Sequence, residues 1–379
     1  MRVGIDAISL AAPRTGVGHY TFELARHLAL IDPAGTFELV SPFPFDTSVT
    51  RETLPPNLTT QQVSVNSISR RWFAFGLPMY LRQGRFDLFH GTNYEVPLWS
   101  KCPTVLTIHD LSLFLYPETH EQRLVRRGQR RLPIMARRAD RIITPSESVK
   151  KETVEYLKGS PSKIVVIPEA PRSIFQPMPF DETVEARKKF EIDIDFILFA
   201  GTIEPRKNLP TLLHAFSEVL RSTSRRLQLV IAGKKGWLVD ELLKDVEASS
   251  LSQHVRFTGY VHDDDLRALY SSCRVFVYPS LHEGFGLPPL EAMACGAPVI
   301  TSGIPSLMET TGIDAARHVA PLDVAALTKC ILGLLDNESE RQYLSSSGIQ
   351  HARQFSWTKV AEATMSIYRQ LIQDERRGR

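Results

Sequence analysis

The chain has 379 residues, 43% of them hydrophobic and 23% charged, which suffices for two ordinary globular domains and excludes a disordered polymer. A net charge of +3 is too small to name a partner. No apolar run approaches the roughly 20 residues of a membrane span and no signal peptide precedes the first strand, so a protein that is soluble, or attached only to a membrane surface, is expected.

In chain order, Met1 to Leu10 reads as a strand, Arg14 to Tyr20 (RTGVGHY) as a glycine-rich turn and Thr21 to Ile31 as a helix with Phe22, Ala25, Leu28 and Ala29 on one face. Gly16 and Gly18 would let the backbone approach a ligand closely, or serve only a tight turn. Further strands are expected at Phe37 to Ser41, Asp87 to His90, Pro103 to Ile108, Arg141 to Thr144 and Lys163 to Ile167, with a helix over Glu147 to Lys158. The third of these strands ends in His109-Asp110, where doubly wound sheets bind ligands. That histidine could place a sugar hydroxyl or simply cap the strand end. Two basic stretches stand out: Ser69 to Arg85, which mixes Trp72, Phe73, Phe75 and Tyr80 with arginines, and Arg123 to Arg141, which holds eight arginines. An anionic membrane surface or a phosphate-bearing acceptor would suit them, as would a solvated helix face over an aromatic core. No nucleic-acid-binding motif accompanies them, so nucleic acid is not an expected partner.

Four prolines within Pro168 to Pro179 mark a linker, after which a second set of strands alternates with helices. These strands are Phe196 to Ala200, Leu227 to Ala232, Val255 to Thr258 and Arg274 to Tyr278, with helices at Leu209 to Leu220, Leu238 to Ala248 and Asp264 to Ser272. After the first strand comes GTIEPRKN, which sets Arg206 and Lys207 on a strand-to-helix loop. Fixed cations there can stabilise a departing diphosphate. The stretch SLHEGFGLPPLEAMACGAPVI follows the last strand, and puts Glu283 in a loop and Glu291 a turn into a helix, with seven residues between them. Gly284 and Gly286 relax that turn, and the Phe285 to Leu287 backbone becomes a candidate phosphate cradle. Phosphate in the middle with carboxylates on either side suits a nucleotide sugar, while an acidic helix start with its side chains in solvent is the plainer alternative.

HEGFGLPPLEAMACGAPVI resembles the signature of the retaining glycosyltransferases of family four, and GTIEPRKNL resembles that family's second signature. The resemblance implies an α/β GT-B fold of two doubly wound Rossmann-like domains facing across a cleft. Its N-terminal, acceptor-side domain would comprise residues 1-172 with a C-terminal helix over 356-379 crossing back to it, and its donor domain residues 173-355. It further implies that Glu291 binds ribose hydroxyls, that Glu283 contacts the donor sugar, and that Gly284, Phe285, Gly286 and Leu287 hold phosphate and sugar. Gly16, Gly18, His109 and Asp110 would face the donor from the first domain. The Gly259 to His262 loop, with Val261, is expected to border the base. Many relatives carry arginine where this chain has Thr202, so Lys207 is the safer cation and Arg206 a substitute for the missing one.

The activity so implied is metal-independent, retaining transfer of a hexose, with GDP-mannose the first choice of donor because EPRKN-type loops resemble those of mannosyltransferases; UDP-sugars are the alternative. The acceptor would be a hydroxyl of a glycan or lipid-linked saccharide. No cofactor is expected. Asp193-Ile194-Asp195 precedes a strand and Asp263 to Asp265 begins a helix, so both acidic pairs have structural explanations. Cys102, Cys273, Cys295 and Cys330 lack metal-ligand or disulfide spacing and read as reduced residues of a cytoplasmic protein, with any membrane contact peripheral on the cytoplasmic face of the inner membrane. Other classes fit less well. A nicotinamide-dependent dehydrogenase needs a third glycine where Thr21 stands, a glycosidase has no use for Arg206 and Lys207, and a non-catalytic carbohydrate- or lipid-binding module would tolerate neutral residues at Glu283 and Lys207.

Overall fold

Short apolar strands alternating with amphipathic helices favour parallel sheets covered on both faces, and the computed structural model, which describes residues 1–378, contains two of these. The chain divides into one unit made of Met1–Phe114, Arg126–Glu169 and the segment from Ser356 onward, and another made of Leu115–Val125 and Ala170–Phe355.

The first unit holds β1 (Arg2–Asp6), β2 (Thr36–Ser41), β3 (Leu58–Gln62), β4 (Leu88–Gly91), β5 (Thr104–Thr107), β6 (Arg141–Thr144) and β7 (Ile164–Val166). They are parallel in the order β3-β2-β1-β4-β5-β6-β7, with Val3 opposite Phe37 on one side and Leu88 on the other. The order reverses between β1 and β4, so the carboxyl ends of these strands flank the crevice where doubly wound sheets take ligands. Strand β3 escaped the sequence reading because only Leu58 of its five residues is buried. The C-terminal helix Trp357–Gly378 packs on this unit: Tyr368 OH lies 2.6 Å from His90 Nδ1, and Trp357 meets Tyr20 edge-on.

The second unit holds β8 (Asp195–Ala200), β9 (Leu227–Ala232), β10 (Val255–Gly259), β11 (Val275–Tyr278), β12 (Val299–Ser302) and β13 (Arg317–Val319), parallel in the order β10-β9-β8-β11-β12-β13. Reversal here falls between β8 and β11, so the loops following these two strands share one crevice. At the ends of β8 and β9 the backbone is pressed together: a Cβ on Gly233 would stand 1.8 Å from the Gly201 carbonyl oxygen. Only glycine fits there, and the contact fixes where the Thr202–Asn208 loop leaves the sheet.

The expected break at 172/173 falls instead at 169/170. Arg172 belongs to the second unit through ion pairs with Glu291 and Asp263, and Leu115–Val125 joins it because Trp237 Nε1 donates to the Thr119 carbonyl at 2.8 Å while its ring stacks on His120. Among the described residues no helix is long and apolar enough to cross a membrane.

Candidate functional site

The loop after β8 tightens into a single 3-10 turn at Pro205–Lys207, and Asn208 then enters a left-handed conformation with φ 57°. Asparagine tolerates that conformation better than most side chains. Its amide donates to the carbonyls of Pro279 at 3.0 Å and Pro321 at 2.6 Å, while its oxygen accepts from Thr211 at 2.8 Å. The β8 loop is thereby tied to the start of the β11 loop. Asn208 was missed in the sequence because its role is to join segments more than seventy positions apart.

This tie brings Arg206 and Lys207 against Glu283. Lys207 Nζ donates to Glu283 at 2.6 Å and to the Tyr278 hydroxyl at 2.7 Å, and Arg206 lies 3.0 Å from the other Glu283 oxygen. Arg206 also donates to Glu204 at 2.6 Å and to the His282 carbonyl at 2.7 Å. Burial alone would raise the Glu283 carboxyl, but Arg206 and then Lys207 overcome it and bring the group down to about 2. Two cations balance two carboxylates in this cluster. An ammonium has three donors, and among the described residues two of those on Lys207 are engaged, so the third could meet an anionic oxygen. The β11 loop is braced from behind, where Ser306 donates to the Glu283 carbonyl at 2.5 Å and Thr310 to that of Phe285 at 2.7 Å.

Gly286 adopts φ +105° just before the helix Leu287–Ala294, and a Cβ there would be 2.4 Å from a Leu307 methyl. Pro288 and Pro289 have no N–H, so backbone donors at this helix start are confined to the residues before them. The Phe285 side chain packs on Phe355 in the core, so any part it takes in a cradle is through its amide. Gly284 and Leu287 complete the same turn. Glu291, one turn further, is 5% exposed and is held by Arg172 Nε at 3.0 Å. The Val261 side chain is 7% exposed and belongs to the hydrophobic core, so any contact it makes with a base is through its backbone; Gly259, Tyr260 and His262 of the same loop are exposed, and the rings of the last two meet edge-on. Both acidic pairs have cationic partners, with Asp195 bonded to Arg274 at 3.0 Å, Asp263 to Arg172 at 2.6 Å and Asp265 to Lys189 at 2.6 Å.

In the first unit, His109 is 9% exposed and both ring nitrogens face acceptors: Nδ1 is 3.0 Å from Glu169 and Nε2 is 2.8 Å from the Thr92 carbonyl. Two acceptors require two N–H donors, which is the imidazolium form. Burial opposes that charge, while the Glu169 hydrogen bond and charge outweigh it and raise the group. Its buried neighbour His90 is pushed down to about 3 by burial and by the His109 charge, so the two rings differ in protonation. Asp110 caps the short helix Ser112–Leu115, accepting from the Ser112 amide at 2.9 Å and hydroxyl at 2.7 Å, a local role the ligand reading had passed over. The glycine turn is likewise corrected. The helix begins at Gly16, not Thr21, and Gly18 lies inside it, where a Cβ would be 3.1 Å from the Ser9 carbonyl. Gly16 is exposed at the helix start with open space around it.

The basic stretches also divide. Trp72 belongs to a core cluster with Leu77, Leu81 and Phe89, Phe73 packs against that cluster, and the Tyr80 hydroxyl bonds Glu38, which leaves Phe75 and Met79 exposed. Trp99 adds to them, with its indole N–H on the Ala74 carbonyl at 2.9 Å. On the helix Gln122–Arg138, Arg131 pairs with Glu95 at 2.6 Å, while Arg123, Arg126, Arg130, Arg137 and Arg138 are exposed.

The profile of the glycosyl transferases group 1 matches residues 182–351, and that of Glycosyltransferase Family 4 matches residues 14–170. The chain is 33% identical over 377 residues to O-antigen chain mannosyltransferase B of Escherichia coli, covering 95% of this chain and 97% of that protein. It is 30% identical over 318 residues to the MMP alpha-(1->4)-mannosyltransferase of Mycolicibacterium hassiacum, covering 77% of this chain and 72% of the other. Among solved structures, sucrose-phosphate synthase from Thermosynechococcus elongatus superimposes with a TM-score of 0.82 at 21% identity, over 98% of this chain and 99% of that one.

Proposed function

The chain belongs to the family-four glycosyltransferases of GT-B fold, as a mannosyltransferase-like member, and from that premise we propose that it transfers mannose from GDP-mannose to a hydroxyl of a glycan or lipid-linked saccharide, with retention at the anomeric carbon and without an essential metal. The observation that carries this reading is the convergence of Lys207 and Arg206 with Glu283 where the β8 and β11 loops meet.

In this reading the diphosphate rests against Lys207, Arg206 and the amides before Pro288. The bond from the anomeric carbon to the phosphate oxygen breaks as the acceptor oxygen attacks from the same face, and the acceptor proton passes to the departing phosphate. The two cations meet the charge that develops on the leaving group, which is the task a metal performs elsewhere. Glu283 accepts hydrogen bonds from hydroxyls of the donor sugar and Glu291 from those of the ribose; neither serves as a nucleophile. The two mannosyltransferase relatives support mannose as the transferred sugar. The test is incubation with GDP-mannose or UDP-glucose and octyl α-mannoside in excess chelator, followed by NMR of the product. An α-linked mannoside formed from GDP-mannose in chelator is expected. Turnover only with UDP-glucose, a β-linked product, or a loss that magnesium restores would each remove the corresponding part.

The four free cysteines fit a reducing, cytoplasmic compartment. Exposed Phe75, Met79 and Trp99 beside Arg71 and Arg82 suit peripheral contact with an anionic bilayer, each basic residue adding about 1 kcal/mol near the surface. Wild type should cosediment with phosphatidylglycerol-containing vesicles at low salt, and Phe75→Ser/Trp99→Ser should not. Equal recovery of both would sink this contact.

A further inference from the structure

Arg172 lies in the proline-rich segment after β7, and its surroundings suit it to more than a connection. Although it is a charged side chain, it is only 9% exposed. Its guanidinium lies 4.6 Å above the Phe175 ring, and the Phe175 amide returns to the Arg172 carbonyl at 3.0 Å, closing the turn under it. Phe175 in turn meets Tyr270 edge-on in the core. With one face stacked, the planar fork has little freedom to turn.

Its two edges then point at different elements. Nε donates to Glu291 at 3.0 Å, on the helix after the β11 loop, and a terminal nitrogen donates to Asp263 at 2.6 Å, at the start of the helix Asp263–Ser272 that follows the Tyr260–His262 segment. One residue therefore links the carboxylate assigned to ribose with the loop assigned to the base. A buried ion pair of this kind roughly breaks even against an apolar core of the same shape, so stability alone gives weak reason for it. What it supplies is direction. A carboxylate pinned by a rigid fork is held at a fixed angle, and hydroxyl donors gain most from an acceptor that need not reorganise.

We propose that Arg172 is a positioning residue for the nucleoside half of the donor: from the linker it aims the Glu291 carboxylate at the ribose hydroxyls and ties it to the base-side loop through Asp263. The inference rests on the transferase reading above and adds to it a specificity element for ribonucleotides. Arg172 itself does not touch the reacting atoms.

Calorimetric titration of the full chain with GDP and with its 2′,3′-dideoxy analogue tests this. Wild type should prefer GDP by on the order of tenfold or more, the effect of losing hydrogen bonds to a charged acceptor. In Arg172→Met the preference should shrink toward unity, and Arg172→Lys, which keeps the charge but not the fork, should retain part of it. Asp263→Asn provides a second, milder variant should Arg172→Met fail to fold. A loss of stability alone would lower both affinities together and leave their ratio unchanged. An unchanged ratio in folded Arg172→Met or Asp263→Asn would overturn the proposal, as would a wild type indifferent to the ribose hydroxyls. A wild type that binds no nucleoside diphosphate at all would overturn the transferase reading and this inference with it.

Discussion

Lys207→Ala is expected to lower kcat for sugar transfer by roughly 10²–10³-fold, with the protein still folded. That is the magnitude seen when one fixed donor to a developing oxyanion is removed, about 3–4 kcal/mol. Lys207 earns this expectation by its position. It is 7% exposed, it donates to the Tyr278 hydroxyl and to Glu283, and among the described residues its third N–H donor meets no further acceptor. Arg206, 3.0 Å from Glu283, is untouched by the substitution and leaves the carboxylate a counter-ion in the core. The change should therefore fall on turnover more than on folding. A folded variant that transfers sugar within twofold of wild type would show that the β8 loop plays no part in catalysis.

Asp6→Asn should stabilise the protein, and the gain should widen as pH rises from 5 to 9. Asp6 ends β1 and is 1% exposed, and among the described residues no side chain donates to either carboxyl oxygen. Burial lifts the group from 3.8 to about 8, against a smaller lowering by the Ile8 amide and with a further rise from Glu95. The unfolded chain releases this proton near 3.8 while the folded protein keeps it until about 8. Native stability thus falls through that window as pH rises, by an amount on the order of 5 kcal/mol at about 1.4 kcal/mol per unit. Asparagine has the same shape and no proton to lose. Melting temperatures of the two proteins at pH 5 and pH 9 check the claim: a difference between them that does not change with pH would mean that Asp6 is already ionised in the fold.

The parts of this molecule that sequence alone revealed are those with a local signal. Buried parallel strands are apolar throughout, so β6 is found at the expected residues and β4 and β8 shift by only one position. Strand β13, with three half-buried residues, has no such pattern. Glu283 and Lys207 could be singled out because each sits in a loop after a strong strand, at the end of the sheet where ligands bind. Their partnership across 76 positions follows from strand order, which the sequence does not print. Arg172 was invisible for the same reason, since its partners are 91 and 119 residues away and a lone cation among prolines carries no periodicity. Glu169, sixty positions from His109, was hidden likewise. Gly18 and Val261 have packing roles that the sequence does not print. A glycine near a helix start and an apolar residue in a loop both suggest access for a ligand; one also lies against the Ser9 backbone and the other on the core beneath it.

Binding of GDP compared with guanosine, in wild type and Lys207→Ala, tests most directly whether the crevice between β8 and β11 holds a diphosphate. Wild type should bind GDP on the order of a hundredfold more tightly than guanosine, the equivalent of about 2.7 kcal/mol for the phosphates, and most of that margin should vanish in the variant. Equal affinity of wild type for the nucleoside and its diphosphate, or a margin that survives the loss of Lys207, would contradict the account.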